Sequence, residues 1–470
     1  MLFNSLQFAL FFLVLLGVLR ALRGFGSAVR LRVLLGASLL FYTLWIPSYL
    51  LLLMATLGIN YWLASVMLKS AQPRRVLITS IVFSLGLLAV FKYAALAVET
   101  ALPALRLIGV VKLQPPELLL PLGISFYTFE IISLSVDIYK RRGELPSFTR
   151  YVLFVTFFPH LIAGPIMRGN ELLPQFDSGG VVDPVRTRRG SWLIAAGLLK
   201  KCVLADFLLA PFVNDVFGVA GAGTAPAHLI AVYSFAFQIY FDFSGYTDMA
   251  RGLACLLGFE LPHNFLEPYL SRSASEFWRR WHISLSRWLR DYLYIPLGGN
   301  RSGELRTGIN LMLTMLLGGL WHGAGWNYVV WGGLHGALLM IERALGKGSV
   351  SESVGLRWRD APRIVLMFHL VCLIWVAFRA PDLSTTLTIW SALFTRSYFV
   401  AWPLLPLLIV FVCALLHLAE RAVHARLPAL HTRIAGAVWG PMFEGAALGA
   451  IVGASLVAAG AGAEFIYFQF

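Results

Sequence analysis

Charge is what this chain has least of. Asp, Glu, Lys and Arg supply 13% of its 470 residues, about half the share of a soluble domain. With 58% hydrophobic residues and a mean hydropathy of +0.74, there is no room for an aqueous domain of any size. Cysteine is scarce as well. Cys202, Cys255, Cys372 and Cys413 stand singly in apolar surroundings, with no metal-like spacing, and read as buried packing residues. Acidic residues number 24 against 38 basic ones, for a formal net charge of +14. That excess does not point to nucleic acid, because the basic residues fall in short clusters between apolar blocks, as in the cytoplasmic loops of a membrane protein. Gly-x-Ser-x-Gly, a Walker loop and a repeat at fixed period are all missing.

What remains is an all-α polytopic membrane protein. At roughly 20 apolar residues per span, the blocks allow about 10 to 13 transmembrane helices. Leu2–Leu19 is followed by Arg20, Arg23, Arg30 and Arg32 and lacks a basic segment before it. It therefore reads as a retained first helix with its N-terminus outside. Val33–Leu68 is long enough for two spans broken near Pro47, and Val76–Val98 and Leu118–Ile138 alternate with basic clusters. Tyr151–Pro165 is short enough for a half-length or re-entrant helix. His228–Phe243 runs into Asp242 and Asp248, Leu261–Arg306 is too polar to cross, and spans resume at Ile309–Val330, Leu334–Ile341, Ile364–Phe378, Leu404–Leu418 and Ala446–Ala459. Residues 1–470 are expected to form a single integral-membrane domain.

Within the polar stretch, Ser275–Leu297 has an amphipathic pattern. On one continuous helix, Phe277, Trp278, Trp281, Leu285, Trp288, Leu289 and Tyr292 share an arc of about 120°, opposite Arg279, Arg280, Arg287 and Arg290, with His282 at the border. Ser273, three residues before Glu276, suits a capping box. Such a helix can be an interfacial anchor with snorkelling arginines. It can also be an electropositive floor for an anionic donor, since the arginine fork grips phosphate.

His322 lies in an apolar block, among Gly318, Gly319, Gly323 and Gly325. An ionisable side chain at bilayer depth is costly and marks a functional candidate, and imidazole can both take and give a proton near neutral pH. A hydrogen bond between helices is the plainer alternative. His335, 13 residues on, faces nearly the opposite side of a continuous helix and reads as structural. Asp242 and Asp248 form a second polar cluster, able to line a path or to pair with the arginines. His263, Asn264, His417, His424 and His431 read as interfacial.

At these residues the chain resembles the membrane-bound O-acyltransferase family, and within it the alginate O-acetyltransferase branch. The resemblance rests on MLFNSLQF at Met1–Phe8, PLGISFY at Pro121–Tyr127, FFPHLIAGPIMR at Phe157–Arg168, GLLKKCVLAD at Gly197–Asp206, YFDFSGYTDM at Tyr240–Met249, Phe277–Asn300 and Trp321–Gly323, and it extends to the closing FIYFQF. The chain departs from the pattern at His160, where relatives are expected to carry glutamine, and no function is read into that histidine. The resemblance implies helices wrapped around a central tunnel in a bacterial inner membrane, with re-entrant and interfacial helices. It also implies an enzyme that moves an acetyl group from a cytoplasmic thioester, acetyl-coenzyme A or another pantetheine thioester, to a polysaccharide hydroxyl. Carried over, the essential histidine falls on His322 and the Arg-Arg-Trp-His histidine on His282, both expected to be catalytic. The second polar residue of the family maps to Asp291 or Asn300 as an orienting group. Arg279, Arg280, Arg287, Arg290 and Trp281 would hold the donor. No metal and no permanently bound cofactor is expected. Because the chain has no serine-esterase motif, a periplasmic SGNH-type partner is expected to complete transfer to an exopolysaccharide such as alginate. Peptidoglycan acetylation, D-alanyl transfer to teichoic acid and polysaccharide export are the alternatives.

Overall fold

Proline and glycine punctuation sets where the helices of this chain begin and stop. A computed structural model describes residues 2–108, 114–180, 182–219, 223–346, 357–435 and 440–459. His424, His431 and the closing residues 465–470 lie outside the described side chains. The described residues form helices and connecting loops, without a strand among them, and group into two compact units.

The first unit comprises Met1–Gly190 and Ala250–Pro262. It opens with α1 (Leu6–Ala21), capped by Ser5, whose hydroxyl accepts from the Phe8 amide at 3.2 Å. Next come α2 (Ser27–Thr43), α3 (Pro47–Lys69) and α4 (Pro73–Leu107). Pro47 and Pro73 sit in first turns, where no amide donor is needed, so the break expected near Pro47 is where the sequence places it. They are followed by α5 (Ile124–Tyr139), α6 (Phe148–Thr156), α7 (Phe158–Leu161) and α8 (Gly169–Leu172). The stretch expected to be half-length is indeed cut short, because Pro159 cannot continue α6. Phe8, Phe41 and Phe158 build an aromatic core with centroids 5.6–6.1 Å apart.

The second unit comprises Ser191–Met249 and His263–Phe470. Two helices contribute to both units, α9 (Pro184–Leu198) and, further on, α11. From α9 the chain continues as an uncommon π-helical stretch, Leu199–Leu209, and then α10 (Ala210–Gly218) and α11 (Ala225–Leu257). In a π-helix the hydrogen bonds run from i to i+5, which stacks residues five apart. Lys201 and Asp206 use this spacing, with Nζ 2.9 Å from Oδ1. Gly197 and Gly245 allow the two backbones to meet: a Cβ on Gly245 would lie 2.7 Å from the Gly197 carbonyl oxygen.

The rest of the unit is α12 (Ala274–Arg280), α13 (Ile283–Leu289), α14 (Glu304–His322), α15 (Trp326–Ala344), α16 (Ala361–Arg379), α17 (Leu383–Thr395), α18 (Leu404–Ala435) and α19 (Gly440–Ala459). The span expected at Ile309–Val330 is not one helix. Gly323–Gly325 interrupts it, and α14 and α15 pack as a hairpin in which a Cβ on Gly319 or Gly332 would overlap a carbonyl oxygen, of Tyr328 and Met315 respectively. Among the described residues, five helices are long and apolar enough to cross a membrane: Pro47–Lys69, Pro73–Leu107, Trp358–Arg379, Leu404–Arg421 and Met442–Ala459. Several of them carry exposed apolar side chains, such as Ile78, Val82 and Val90 on α4 and Leu404, Leu408 and Phe411 on α18. Such surfaces suit lipid. The chain is an all-α polytopic membrane protein. All four cysteines are free and buried, as their surroundings implied.

Candidate active site

The continuous amphipathic helix expected over Ser275–Leu297 is replaced by two short helices and a turn of π-helix at Arg290–Tyr294. The break falls at Trp281 and His282, and His282 adopts a left-handed conformation (φ 43°, ψ 55°), which is strained for a residue with a Cβ. Asn264 holds the turn. Its carbonyl accepts from the Ile283 amide at 2.9 Å, and its side-chain oxygen accepts from the Ser284 amide at 3.0 Å and the Ser284 hydroxyl at 2.9 Å. Asn264 was expected at the interface; it is 1% exposed. The Ser273 hydroxyl caps α12 as anticipated, accepting from the Glu276 amide at 3.2 Å, but the Glu276 carboxylate returns to the Arg272 amide at 2.9 Å, not to Ser273.

This turn delivers His282 to His322. His322 is the last residue of α14, and its ring centroid lies 6.2 Å from that of His282. Around His322 stand Trp321 at 5.0 Å, Trp331 at 5.1 Å and Phe378 at 5.3 Å. Phe243 of α11 presents its edge to His282 at 4.7 Å. His322 is 4% exposed and His282 is closed off, so the pair sits in a low-dielectric aromatic box. Gly323 is obligatory beside it, because a Cβ there would run into the Tyr328 ring. Neighbouring Asn327 donates through Nδ2 to the Ala377 and Ala380 carbonyls at 3.2 and 2.8 Å, fixing the end of α16 next to Phe378.

The other anticipated groups fall in different places. Asn300 is exposed before the start of α14. That helix puts about 27 Å between Glu304 and His322 at 1.5 Å per residue, so Asn300 cannot orient the histidine. Asp291 is engaged by its neighbour, with Arg290 Nε 2.6 Å from Oδ1. Arg280 donates to Glu276 at 2.8 Å and lies 3.9 Å from Glu267. Burial alone would raise the Glu276 carboxyl, but its bonds from the Arg272 side chain and backbone, and the nearby Arg280, hold it below the usual range. Arg279 and Arg287 lie on the same two short helices, exposed and half-buried. Trp281 is inside the packing at 0% exposure, against Phe265, Phe277 and Trp375 at 5.0, 5.7 and 4.9 Å.

His335 does not continue the helix of His322. It lies on α15, fully buried and stacked on Phe277 at 5.8 Å, and both histidines flank Trp331. Asp242 and Asp248 each pair with a lysine, where arginines were the expected partners. Lys201 bridges Asp206 and Asp242, and Lys200 bridges Asp248 at 3.0 Å and Glu420 at 2.7 Å. Tyr240 donates to Glu420 at 2.6 Å, and His417, expected at the interface, is buried 3.1 Å from the same carboxylate. Among the described residues no group of three or more potential metal ligands occurs.

Two buried imidazoles at a helix end, in a polytopic helical membrane protein, form an arrangement in which acid–base chemistry can proceed away from bulk water. A family model, the membrane-bound O-acyltransferase family, matches residues 38–378, and the chain belongs to that family. It is a membrane O-acyltransferase. It is 43% identical over 381 residues to a probable alginate O-acetylase of Pseudomonas aeruginosa, covering 79% of this chain and 71% of the relative. A probable alginate O-acetylase of Azotobacter vinelandii is 44% identical over 77% of this chain and 72% of its own length. The peptidoglycan O-acetyltransferase of Helicobacter pylori is 37% identical over 75% and 71%. The exporter alternative finds no counterpart among these relatives.

Proposed function

We propose that this protein takes an acetyl group from a cytoplasmic thioester, acetyl-coenzyme A or another pantetheine thioester, and passes it across the bacterial inner membrane for O-acetylation of an exopolysaccharide such as alginate. The observation that carries this reading is the buried His282–His322 pair, 6.2 Å between ring centroids, at the broken end of α14. The two alginate-acetylating relatives support the acceptor class.

An alcohol is a weak nucleophile near neutral pH. His322 takes the hydroxyl proton as the oxygen attacks the thioester carbonyl; the carbon–sulfur bond then breaks, and the thiolate leaves with the proton held by the imidazolium. Positioned acid–base help of this kind contributes about 10²–10⁴-fold, and a shared closed site contributes through proximity. His282 lines the site and orients the reacting groups. The donor phosphates are assigned to the arginines of α12 and the segment after it, chiefly Arg279, whose side chain is exposed, and Arg287 on the following helix. Asp291 and Asn300 have no part in orienting His322 in this account. A periplasmic serine-dependent partner of the SGNH type completes the transfer, and the N-terminus of the chain faces the periplasm.

The peptidoglycan relative supports a second reading in which only the acceptor changes. Both are tested by deleting the gene and restoring it as wild type or His322→Ala, then measuring acetyl esters on secreted polysaccharide and on purified peptidoglycan. Loss from the polysaccharide alone, restored by wild type and not by His322→Ala, is the expected result. Esters retained on both polymers would refute the proposal.

A further inference from the structure

The tautomer of His282 can be deduced from the bonds around it. The Ser284 backbone amide can only donate, and it points at the Asn264 side chain at 3.0 Å. That atom is therefore the carboxamide oxygen Oδ1 and not the nitrogen. The same oxygen lies 3.3 Å from His282 Nδ1. An oxygen acceptor requires a donor opposite it, so Nδ1 carries the ring proton. Burial pushes the His282 imidazole down to about 3, which leaves the ring neutral near pH 7 with a single N–H. The lone pair is then on Nε2.

Resting on the acyl-transfer reading above, we infer that Asn264 is a positioning residue for the reaction: it fixes His282 as the Nδ1–H tautomer, so that Nε2 faces the chemistry as a hydrogen-bond acceptor. Three donors converge on Asn264 Oδ1, and its backbone carbonyl holds Ile283, so one residue sets the turn, the ring orientation and the proton position. An acceptor nitrogen on a ring 6.2 Å from that of His322 suits a substrate that arrives with an O–H. His282 aligns the hydroxyl and His322 removes its proton. Asn264 Nδ2 has no hydrogen-bond partner among the described residues, so the function of the side chain lies in its oxygen.

The isostere Asn264→Asp keeps an oxygen for all three donors and gives up only the NH2 group. It also places a carboxylate on the Nδ1–H of His282, which raises the affinity of that ring for a second proton. The titratable group facing His282 from α14 is His322. From α11 the residue against His282 is Phe243; its neighbour in sequence, Asp242, is held by Lys201. On its own segment Arg279, Arg280 and Arg287 flank it. None of these changes in the variant. A protonated His282 has no lone pair, so Asn264→Asp should retain transfer at alkaline pH and lose it on acidification, along a limb displaced upward from wild type. Asn264→Leu should lower kcat by about 10–100-fold, the scale seen when a metal-ligating histidine loses its outer hydrogen-bond partner, with little change in the KM for acetyl-coenzyme A.

The test uses the full-length protein in lipid nanodiscs, with ring-15N-labelled histidine. The His282 resonances, assigned by their absence in His282→Gln, should report a protonated Nδ1 and a bare Nε2 in wild type. Asn264→Leu should lose that signature, and Asn264→Asp should gain a second N–H as pH falls. An Nε2–H tautomer in wild type, or a pH–rate profile of Asn264→Asp that superimposes on wild type, would overturn the inference. Because the spectrum needs no turnover, a wild-type protein with the expected tautomer but no acetyl transfer would instead count against the functional reading alone.

Discussion

Two buried histidine sites in this molecule are built on opposite plans. In the first unit, His160 gives its Nε2–H to the Phe154 carbonyl at 3.0 Å, and its Nδ1 lies 3.0 Å from Glu130 Oε1. The same Glu130 oxygen also accepts from the Met167 amide. Both ring nitrogens lie against protein oxygens, which leaves neither facing open space for a substrate. In the second unit, His282 Nδ1 lies 3.3 Å from Asn264 Oδ1, and its ring stands 6.2 Å from a second imidazole inside a wall of aromatic rings. Burial alone therefore does not mark a reactive histidine. What distinguishes the two is whether the surrounding protein consumes the ring's hydrogen-bonding capacity or directs it.

The contrast predicts that saturated polar clusters govern stability while the histidine pair governs rate. The largest stability loss should come from Lys201→Met, which strands Asp206 and Asp242 in the interior. Breaking a buried pair costs about 3–5 kcal/mol, and the variant should fail to accumulate as folded protein on size-exclusion chromatography. Adding Asp206→Asn and Asp242→Asn should recover it. His160→Leu should cost about 1–3 kcal/mol, the penalty for leaving a buried acceptor unmade, seen as a lower unfolding temperature in detergent with an unchanged kcat. A fall in kcat without loss of stability would erase the distinction between the two sites.

Smaller effects sharpen the same division. The depressed Glu276 carboxyl contributes stability that is complete above its unfolded value near 4.5 and fades as pH drops through the lower folded value. Glu276→Gln should flatten that acid dependence, measured as unfolding temperature between pH 3 and pH 7. Arg290→Ala removes an exposed pair worth about 0–1 kcal/mol and should leave the unfolding temperature unmoved. Arg279 and Arg287 replaced by alanine should raise the KM for the donor instead.

Much of the fold was legible in the chain. Proline fixed the starts of α3 and α4, and the cysteines were read as packing from their neighbours alone. His322 stood out because a polar side chain in an apolar block has few reasons to be there. The rest depended on contacts that no local pattern carries. Ser275–Leu297 keeps a helical period throughout, yet the bonds that break it at His282 come from Asn264, 18 residues upstream. The spacing of His335 from His322 presupposes a continuous helix, which Gly323–Gly325 interrupts. Lys200 and Lys201 looked like a basic flank, but the π-helical stretch turns them inward to meet carboxylates distant in sequence. Asp291 and Asn300 were placed by sequence order, and the length of α14 removes Asn300 from the site. The one local signal for Asn264, an amide next to a proline-containing loop, is shared with many turns.

The measurement that tests the account most directly is transfer of radiolabelled acetyl from acetyl-coenzyme A by the purified protein in nanodiscs, supplied with a polysaccharide acceptor and the periplasmic partner. Wild type and His160→Leu should transfer label at equal rates per folded molecule, while His322→Ala, equally folded, should fall by about 10²–10⁴-fold. Undiminished transfer by His322→Ala would contradict the account.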